Sequence, residues 1–333
     1  MTRSLHNGMR VNADMLLAVP ASGLPPGFYQ VNSRFGVHNN GLLDAGLATY
    51  HQRAHPCGIA YLVPAALRAA AHALTNPNFT VGGFAALALY GLEFLVEGTD
   101  TVLMTDLVTA NRPASACAPA VLRWQPPRKH LWQVEVCGAP VSIASPGLAV
   151  VQALAALRKE DVQWKVVDTP EHSATFIRAV QLVDAVRNQL GVDSADILRA
   201  GPGRIDMRWL TQVIITSSAL ADSPKETEMR LLAEPVVDGF GLVLSEQVPV
   251  LIDDKHITRF DLAIIELKIG IMFDGAHHWT KDRRDKDSEI DLSVIGEDWL
   301  SLRFSEGTLP GLPKRLPGVI EKRLASRRKE ATP

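Results

Sequence analysis

Between Ile257 and Asp274 the chain alternates apolar and polar residues in two runs, Ile257–Ile265 and Lys268–Asp274, separated only by Glu266 and Leu267. A period of two is the mark of strands that bury one face, and so short a break leaves room only for a reversal. The segment therefore reads as an antiparallel hairpin, and any fold of this region must be built around a sheet. In the first strand Phe260, Leu262 and Ile264 fall on one side, with Arg259, Asp261 and Ala263 on the other. In the second, Ile269, Ile271 and Phe273 form the apolar side, and Lys268, Gly270, Met272 and Asp274 the other. With Glu266-Leu267 as the turn, Ile265 faces Lys268, Asp261 faces Met272, and Asp274 lies one diagonal step from Asp261.

The flanking elements complete a layer around this hairpin. Ser223-Pro224-Lys225-Glu226 supplies an N-cap, a proline at the first helical position and a glutamate three residues after the cap. Met229, Leu231 and Leu232 follow as the apolar stripe. Leu242–Val250 reads as a strand, 281–292 as a charge-dense helix, and Trp299–Phe304 as a last strand. Helix, three strands, helix, strand implies an α/β sandwich around a mixed sheet.

Charge density marks where this part begins. Residues 1–221 carry 17 Lys+Arg and 15 Asp+Glu, whereas 222–333 carry 17 and 21 in about half the length. A boundary near Asp222-Ser223-Pro224 follows, and 333 residues suit two domains at ~150 residues each. In the first part Gly27-Phe28-Tyr29 leads from a turn into a strand, and Thr80–Leu92 reads as a short apolar helix with Gly82 and Gly83 in its first turn. Val121–Trp124, Trp132–Val136 and Val141–Ile143 alternate like strands. Ser145-Pro146 opens a helix with Leu148, Val151, Leu154 and Leu157 at helical spacing, and Phe176, Val180, Val183 and Val186 mark another that stops at Gly191. A net charge of −2 excludes a chain coated in basic residues, so nucleic-acid contact needs a local patch. Cys57, Cys117 and Cys137 are too scattered for a disulfide framework or a cysteine zinc site. No apolar run reaches the ~18–20 residues of a membrane span, and the polar first ten residues lack a signal-peptide core. The expectation is a cytoplasmic protein without membrane partners.

The hairpin carries the candidate chemistry. Asp261 and Asp274, on one face near its open end, form a plausible hard-cation site in which Mg²⁺ could orient water and stabilise charge on a phosphodiester. His277 and His278 follow Gly275 at the sheet edge, placed to exchange protons. Glu226 could reach the same cleft as a third acid, but it suits equally the role of capping-box partner. Arg283 and Arg284 are placed to hold a phosphate. Trp279 could stack on a base or cap the core. Lys314, Arg315, Lys322, Arg323, Arg327, Arg328 and Lys329 crowd a basic C-terminal tail with only Glu321 among them; it reads either as a phosphate-neutralising surface or as a solvated helix.

Ser223-Pro-x-Glu226, Gln247 before a strand, Asp261-Leu262-Ala263, Asp274-Gly275-x-x-His278, Arg284-Asp285, Leu292, Gly296 and Trp299–Arg303 together resemble a bacterial nuclease-like family. That family is related to the very short patch repair (Vsr) endonucleases and has the PD-(D/E)XK restriction-endonuclease fold. Gly27-Phe28-Tyr29 and Ala85-Ala86-Leu-Ala-Leu-Tyr-Gly91-Leu92 resemble the AbiEi-type antitoxin regulators that often precede this domain and begin with a winged-helix DNA-binding element. The resemblance implies a winged-helix-like region over 1–75, an AbiEi-like mixed α/β domain over 76–221, a restriction-endonuclease-like mixed sheet flanked by helices over 222–310, and a basic tail over 311–333. It implies an endonuclease-like protein acting on double-stranded DNA, by Mg²⁺-dependent phosphodiester hydrolysis in repair or defence, alongside a toxin or repair partner protein.

This chain departs from the family pattern. Where the family reads Glu-x-Asp-Gly-x-x-His, the chain has Met272 for the Glu, and a thioether is a poor ligand for Mg²⁺. Ser288 stands where the family has an Arg, and Glu297-Asp298 splits its Gly-Trp pair. The Vsr branch itself departs from the standard acids and uses His. Three readings therefore stand together: a metal-dependent DNA nuclease, a degenerate nuclease fold acting as an antitoxin-like DNA-binding regulator, and a plain interaction module.

Overall fold

The computed structural model describes residues 15–252, 255–275 and 296–330. Among the described residues the fold is mixed α/β with three sheets, two of them mixed. The chain divides into two compact units. Unit 1 comprises 1–165 with 178–219, and unit 2 comprises 166–177 with 220–333.

Unit 1 starts with a three-stranded antiparallel sheet of β1 (Leu16–Ala18), β2 (Phe28–Gln30) and β3 (Phe35–His38), with β3 in the centre. Val31 and Val37 from this region pack with Val63, Leu67 and Ala71, the last two on α2 (Ala65–Thr75), which follows α1 (Ala45–Ala54). A second sheet holds β4 (Thr80–Gly82), β5 (Val102–Thr105), β6 (Ala120–Arg123), β7 (Leu131–Val136) and β8 (Ala139–Ala144), in the order β6-β5-β4-β8-β7. The helices α3 (Gly83–Leu89), α4 (Pro146–Arg158), α5 (Ala174–Leu190), α6 (Ser194–Ala200) and α7 (Met207–Thr216) complete the element order up to unit 2.

The expectation of one helix over Thr80–Leu92 is corrected here. Thr80 and Val81 are strand residues, paired with β5 on one side and β8 on the other. The helix begins only at Gly83, whose φ of +55° makes the corner. Apolar residues in a central strand are buried on both faces, so a short one merges by eye with the apolar helix that follows. The α4 helix does open at Ser145-Pro146, with Leu148, Val151, Leu154 and Leu157 buried, and α5 ends before Gly191 at φ +61°.

Unit 2 contains α8 (Pro224–Gly239), β9 (Ser245–Ile252), β10 (Lys255–Ile264), β11 (Ile269–Phe273), β12 (Leu300–Phe304) and α9 (Leu312–Glu330). Its sheet order is β12-β11-β10-β9, with β11 and β12 parallel and the other pairs antiparallel. The hairpin register is Leu262↔Ile271, Ala263↔Gly270 and Ile264↔Ile269, and it stops one step short of the Asp261–Met272 pair that the alternation predicts. The turn is one 3-10 turn over Ile265–Leu267, closed by Lys268 in the left-handed region at φ +51°. Leu262, Ile264, Ile269 and Ile271 form one apolar face of the sheet. They pack with Met229, Leu232 and Ala233 of α8 and with Leu312, Leu316 and Ile320 of α9.

Phe260 does not belong to that face. Its ring lies over Gly270, where an added Cβ would stand 2.3 Å from Phe260 Cε1. It packs with Val250, Ala263, Met272 and Trp299 on the opposite side. The alternation breaks at the point of β10 that lies across from Gln247, whose backbone is left-handed at φ +53°. The basic segment after residue 311 is also more than a tail: α9 anchors Leu312, Leu316 and Ile320 in the core and carries its cations on the other faces. No described helix is long and apolar enough to cross a membrane.

Candidate acid cluster at the open end of the hairpin

The site begins where β10 and β11 part. Their ladder ends at Leu262↔Ile271, while β11 stays paired with β12 through Met272↔Arg303 and Phe273↔Phe304. Asp274 N–H then donates to Phe304 O at 2.7 Å. On the other side of β11 the Phe273 N–H donates to Asp261 Oδ2 at 2.7 Å. The aspartate thus replaces the missing backbone acceptor and holds its carboxylate in the gap between the two strands. This is a local consequence of the sequence, because a short acidic side chain at a strand divergence can satisfy a backbone donor that β10 no longer reaches.

Glu226 comes to the same place from the first turn of α8. Ser223 Oγ accepts from Glu226 N–H at 3.3 Å and donates to Glu226 Oε1 at 2.9 Å. Asp222 N–H donates to Glu226 Oε2 at 3.0 Å. The glutamate therefore does act as a cap partner. A further donor reaches it from outside the helix: Gln247 Nε2 lies 2.8 Å from Glu226 Oε2. The left-handed backbone of Gln247 turns this side chain toward Glu226, and the other amide atom, Oε1, is buried without a hydrogen-bond partner. An oxygen acceptor left unmet beside a carboxylate costs desolvation energy that a cation, a proton donor or water would recover.

The electrostatics join these groups. Burial pushes Glu226 up to about 7, the Asp261 charge adds to the rise, and the hydrogen bonds from Asp222 and Ser223 oppose it. Burial likewise pushes Asp261 up to about 6. The Phe273 N–H and the Arg259 charge pull it back, while Asp222 and Asp274 raise it. Arg259 is itself ion-paired with Asp222. Two partly buried carboxylates are thus both held above their usual range by burial and by neighbouring negative charge, the arrangement that lifts acid pKa values at reacting sites.

The remaining expected residues sit differently. Asp274 is exposed and forms an ion pair with Arg303, Nη1 to Oδ1 at 3.1 Å. It acts on Asp261 through its field, whereas Glu226 and Gln247 make the hydrogen-bonded contact in this cluster. Met272 packs partly buried beside Phe260 and Trp299, so it serves as core. His277, His278, Trp279, Arg283 and Arg284 lie outside the described residues, as does the helix expected over 281–292. Among the described residues no group of three or more His, Cys, Asp or Glu side chains is arranged to hold a metal ion. Sequence reasoning placed Gln247 only as part of a pattern and missed Asp222 and Arg259. No alternation signals them, because Asp222 lies just ahead of α8 and Arg259 on β10, 37 residues later, and only tertiary packing pairs them.

No protein-family model matches the chain, and comparison with curated proteins and with solved structures finds no match.

Proposed function

We propose that unit 2 is an endonuclease-like module that hydrolyses phosphodiesters in double-stranded DNA with the help of a divalent cation. The observation that carries this reading is the pairing of Glu226 and Asp261, two partly buried carboxylates from different elements, beside the unmet Oε1 of Gln247. The donor set fits a hard cation, because it consists of oxygen atoms and excess negative charge. Glu226, Asp261 and Gln247 would hold it, in place of the Asp261–Asp274 pair expected from alternation alone. When bound, Mg²⁺ would supply charge stabilisation and a polarised water. Glu226 and Asp261, both held above their usual carboxylate range by burial and by neighbouring negative charge, would supply the negative charge that draws the cation in. Asp261 holds the gap open and contributes charge, and Arg303 steadies Asp274 at its rim.

The resemblance to Vsr-related nucleases supports this reading through Glu226, Asp261 and Asp274. The basic residues of α9, with Lys314, Arg315 and Lys322 exposed, supply charge for the DNA backbone. The test is nicking of supercoiled plasmid with Mg²⁺ or Mn²⁺. Wild type should nick, and Asp261→Ala and Glu226→Gln should each lose at least about a hundredfold, because each would remove a carboxylate that holds the cation. Equal activity in wild type and Asp261→Ala excludes the role given to Asp261.

One observation favours a second reading, a DNA-binding regulator on a degenerate nuclease fold. Met272, where the family has its Glu, is packed into the Phe260–Trp299 cluster and offers no oxygen. Salt-dependent duplex binding without cleavage, unchanged by Asp261→Asn, would select it.

A further inference from the structure

Unit 1 contains a half-open cleft of about 620 Å³, independent of the carboxylate site in unit 2. That volume is within the range of small-molecule sites, ~300–1,000 Å³. Its floor is apolar, with Phe84 from α3, Val102 from β5 and Val151 and Ala155 from α4. At its mouth lie Leu122, on β6, the edge strand of the five-stranded sheet, and Trp124, just past the strand's end, both lining the cleft. They are 38% and 37% exposed, so a flat apolar surface is left facing the cavity. Large apolar side chains left uncovered beside a concave floor are unusual in a packed domain and mark a surface that something covers.

The polar side of the cleft is cationic. Arg123, Lys159 and Arg204 line it. Of its two acids, Asp100 is already committed: Oδ1 accepts from Tyr61 Oη–H at 2.6 Å and lies 2.9 Å from His55 Nε2. The other, Asp161, does not balance three cations. Arg204 is the group left unsatisfied. Its Nη1 donates to two neutral carbonyls, Ala200 O at 3.1 Å and Pro202 O at 3.2 Å. Its Nε–H is buried with no hydrogen-bond partner, and its guanidinium stands 5.9 Å from the Trp124 ring centroid. A buried donor on a permanent cation is costly to leave unmet, and an anionic acceptor is its natural complement.

We propose that this cleft binds a small amphipathic anion: a flat apolar or aromatic body seated against Leu122 and Trp124, carrying one carboxylate or phosphate that reaches Arg204. The apolar floor takes the body and excludes water. The guanidinium then works in a lowered dielectric and fixes the orientation of the acid group. His55 and Asp100 line the cleft as well, and Tyr61 holds Asp100 from behind. His55 Nδ1 accepts from Cys57 N–H at 3.1 Å and its Nε2 faces Asp100, so both ring nitrogens have partners.

The test uses full-length protein and the fluorescent probe 1-anilinonaphthalene-8-sulfonate, with the uncharged N-phenyl-1-naphthylamine as its neutral counterpart. Wild type should bind the sulfonate saturably at one equivalent. Arg204→Met keeps the aliphatic stem and should weaken the sulfonate about tenfold while leaving the neutral probe unchanged. Leu122→Asp, on the exposed rim where folding is tolerant, should weaken both probes, the sulfonate by the larger factor because a negative charge is added; it decides the matter if Arg204→Met does not fold. Displacement of the probe by 1-naphthyl phosphate against 1-naphthoate tells which acid group is preferred, and preference for either supports the site. Displacement by neutral 1-naphthalenemethanol as good as by either acid overturns it. So does unchanged sulfonate affinity in Leu122→Asp, or binding at many equivalents.

Discussion

Replacing Asp261 by Asn tests the electrostatic reading of the unit 2 cluster without removing its hydrogen bond. Asn Oδ1 can still accept from Phe273 N–H, so the variant deletes charge and little else. Asp261 is raised from 3.8 to about 6 by burial first and then by neighbouring charge. In the window between those values the native state binds more protons than the unfolded chain. Stability therefore falls as pH rises through it, and above pH 6 the full penalty is present. Two units correspond to about 3 kcal/mol, and partial exposure of the side chain reduces the expected figure to about 2. Glu226 adds to the effect, because the Asp261 charge is the second cause of its own rise to about 7. Asp261→Asn should thus match wild type near pH 4 and exceed its unfolding free energy by about 2 kcal/mol at pH 8. Guanidinium or urea unfolding followed at fixed steps between these pH values measures the difference. Taking the difference between the two proteins cancels the titrations of unit 1. A variant equal to or less stable than wild type at pH 8 would show that the carboxylate is not held at a cost, and the case for a cation between Glu226 and Asp261 would lose its physical basis.

Other expectations follow from single contacts. Gly270→Ala would drive a methyl into the Phe260 ring, with 2.3 Å between Cβ and Cε1, and should cost about 1–3 kcal/mol in denaturant unfolding; a neutral result would place the ring elsewhere. His72 is buried on α2 beside Asn32 and Arg68, and burial first, then the Arg68 charge, lowers it to about 4. Its unfolded form binds the extra proton between pH 4 and 6.5, so unit 1 should gain stability as pH rises through that window, and His72→Gln should flatten the rise in a thermal-denaturation series. Arg68 is fully buried, stacks 3.7 Å over Tyr61 and donates to Val63 O and Thr99 O; Arg68→Lys, which cannot reproduce that fork, should lower the Tm of unit 1 by several degrees in calorimetry.

The hairpin was the most legible part of the chain, because a period of two with a short break allows little else. The register from Leu262↔Ile271 to Ile264↔Ile269 follows from it directly. Alternation does not show that Phe260 changes sides, because its ring packs with Val250, Ala263, Met272 and Trp299, residues outside β10 or of the other parity on it. It also placed Asp261 and Asp274 as partners on the strength of a shared face. The strands instead diverge, Asp261 turns into the gap to meet Phe273 N–H, and Asp274 pairs with Arg303 on β12. The cap signature at Ser223 announced both the start of α8 and the position of Glu226. The second neighbour of that glutamate, Gln247, is 21 residues away and is brought near only by tertiary packing. In unit 1 the cleft left no trace in the sequence. His55 and Asp100 are 45 residues apart, and the exposed Leu122 and Trp124 look like any strand residues until β6 is seen to be an edge.

Calorimetric titration of full-length protein with Mn²⁺ near pH 7.5 bears most directly on the pairing of Glu226 with Asp261. Wild type should show one saturable site that disappears in both Asp261→Asn and Glu226→Gln. Binding that survives in both variants, or no heat in wild type, would contradict the assignment of these two carboxylates to a divalent cation.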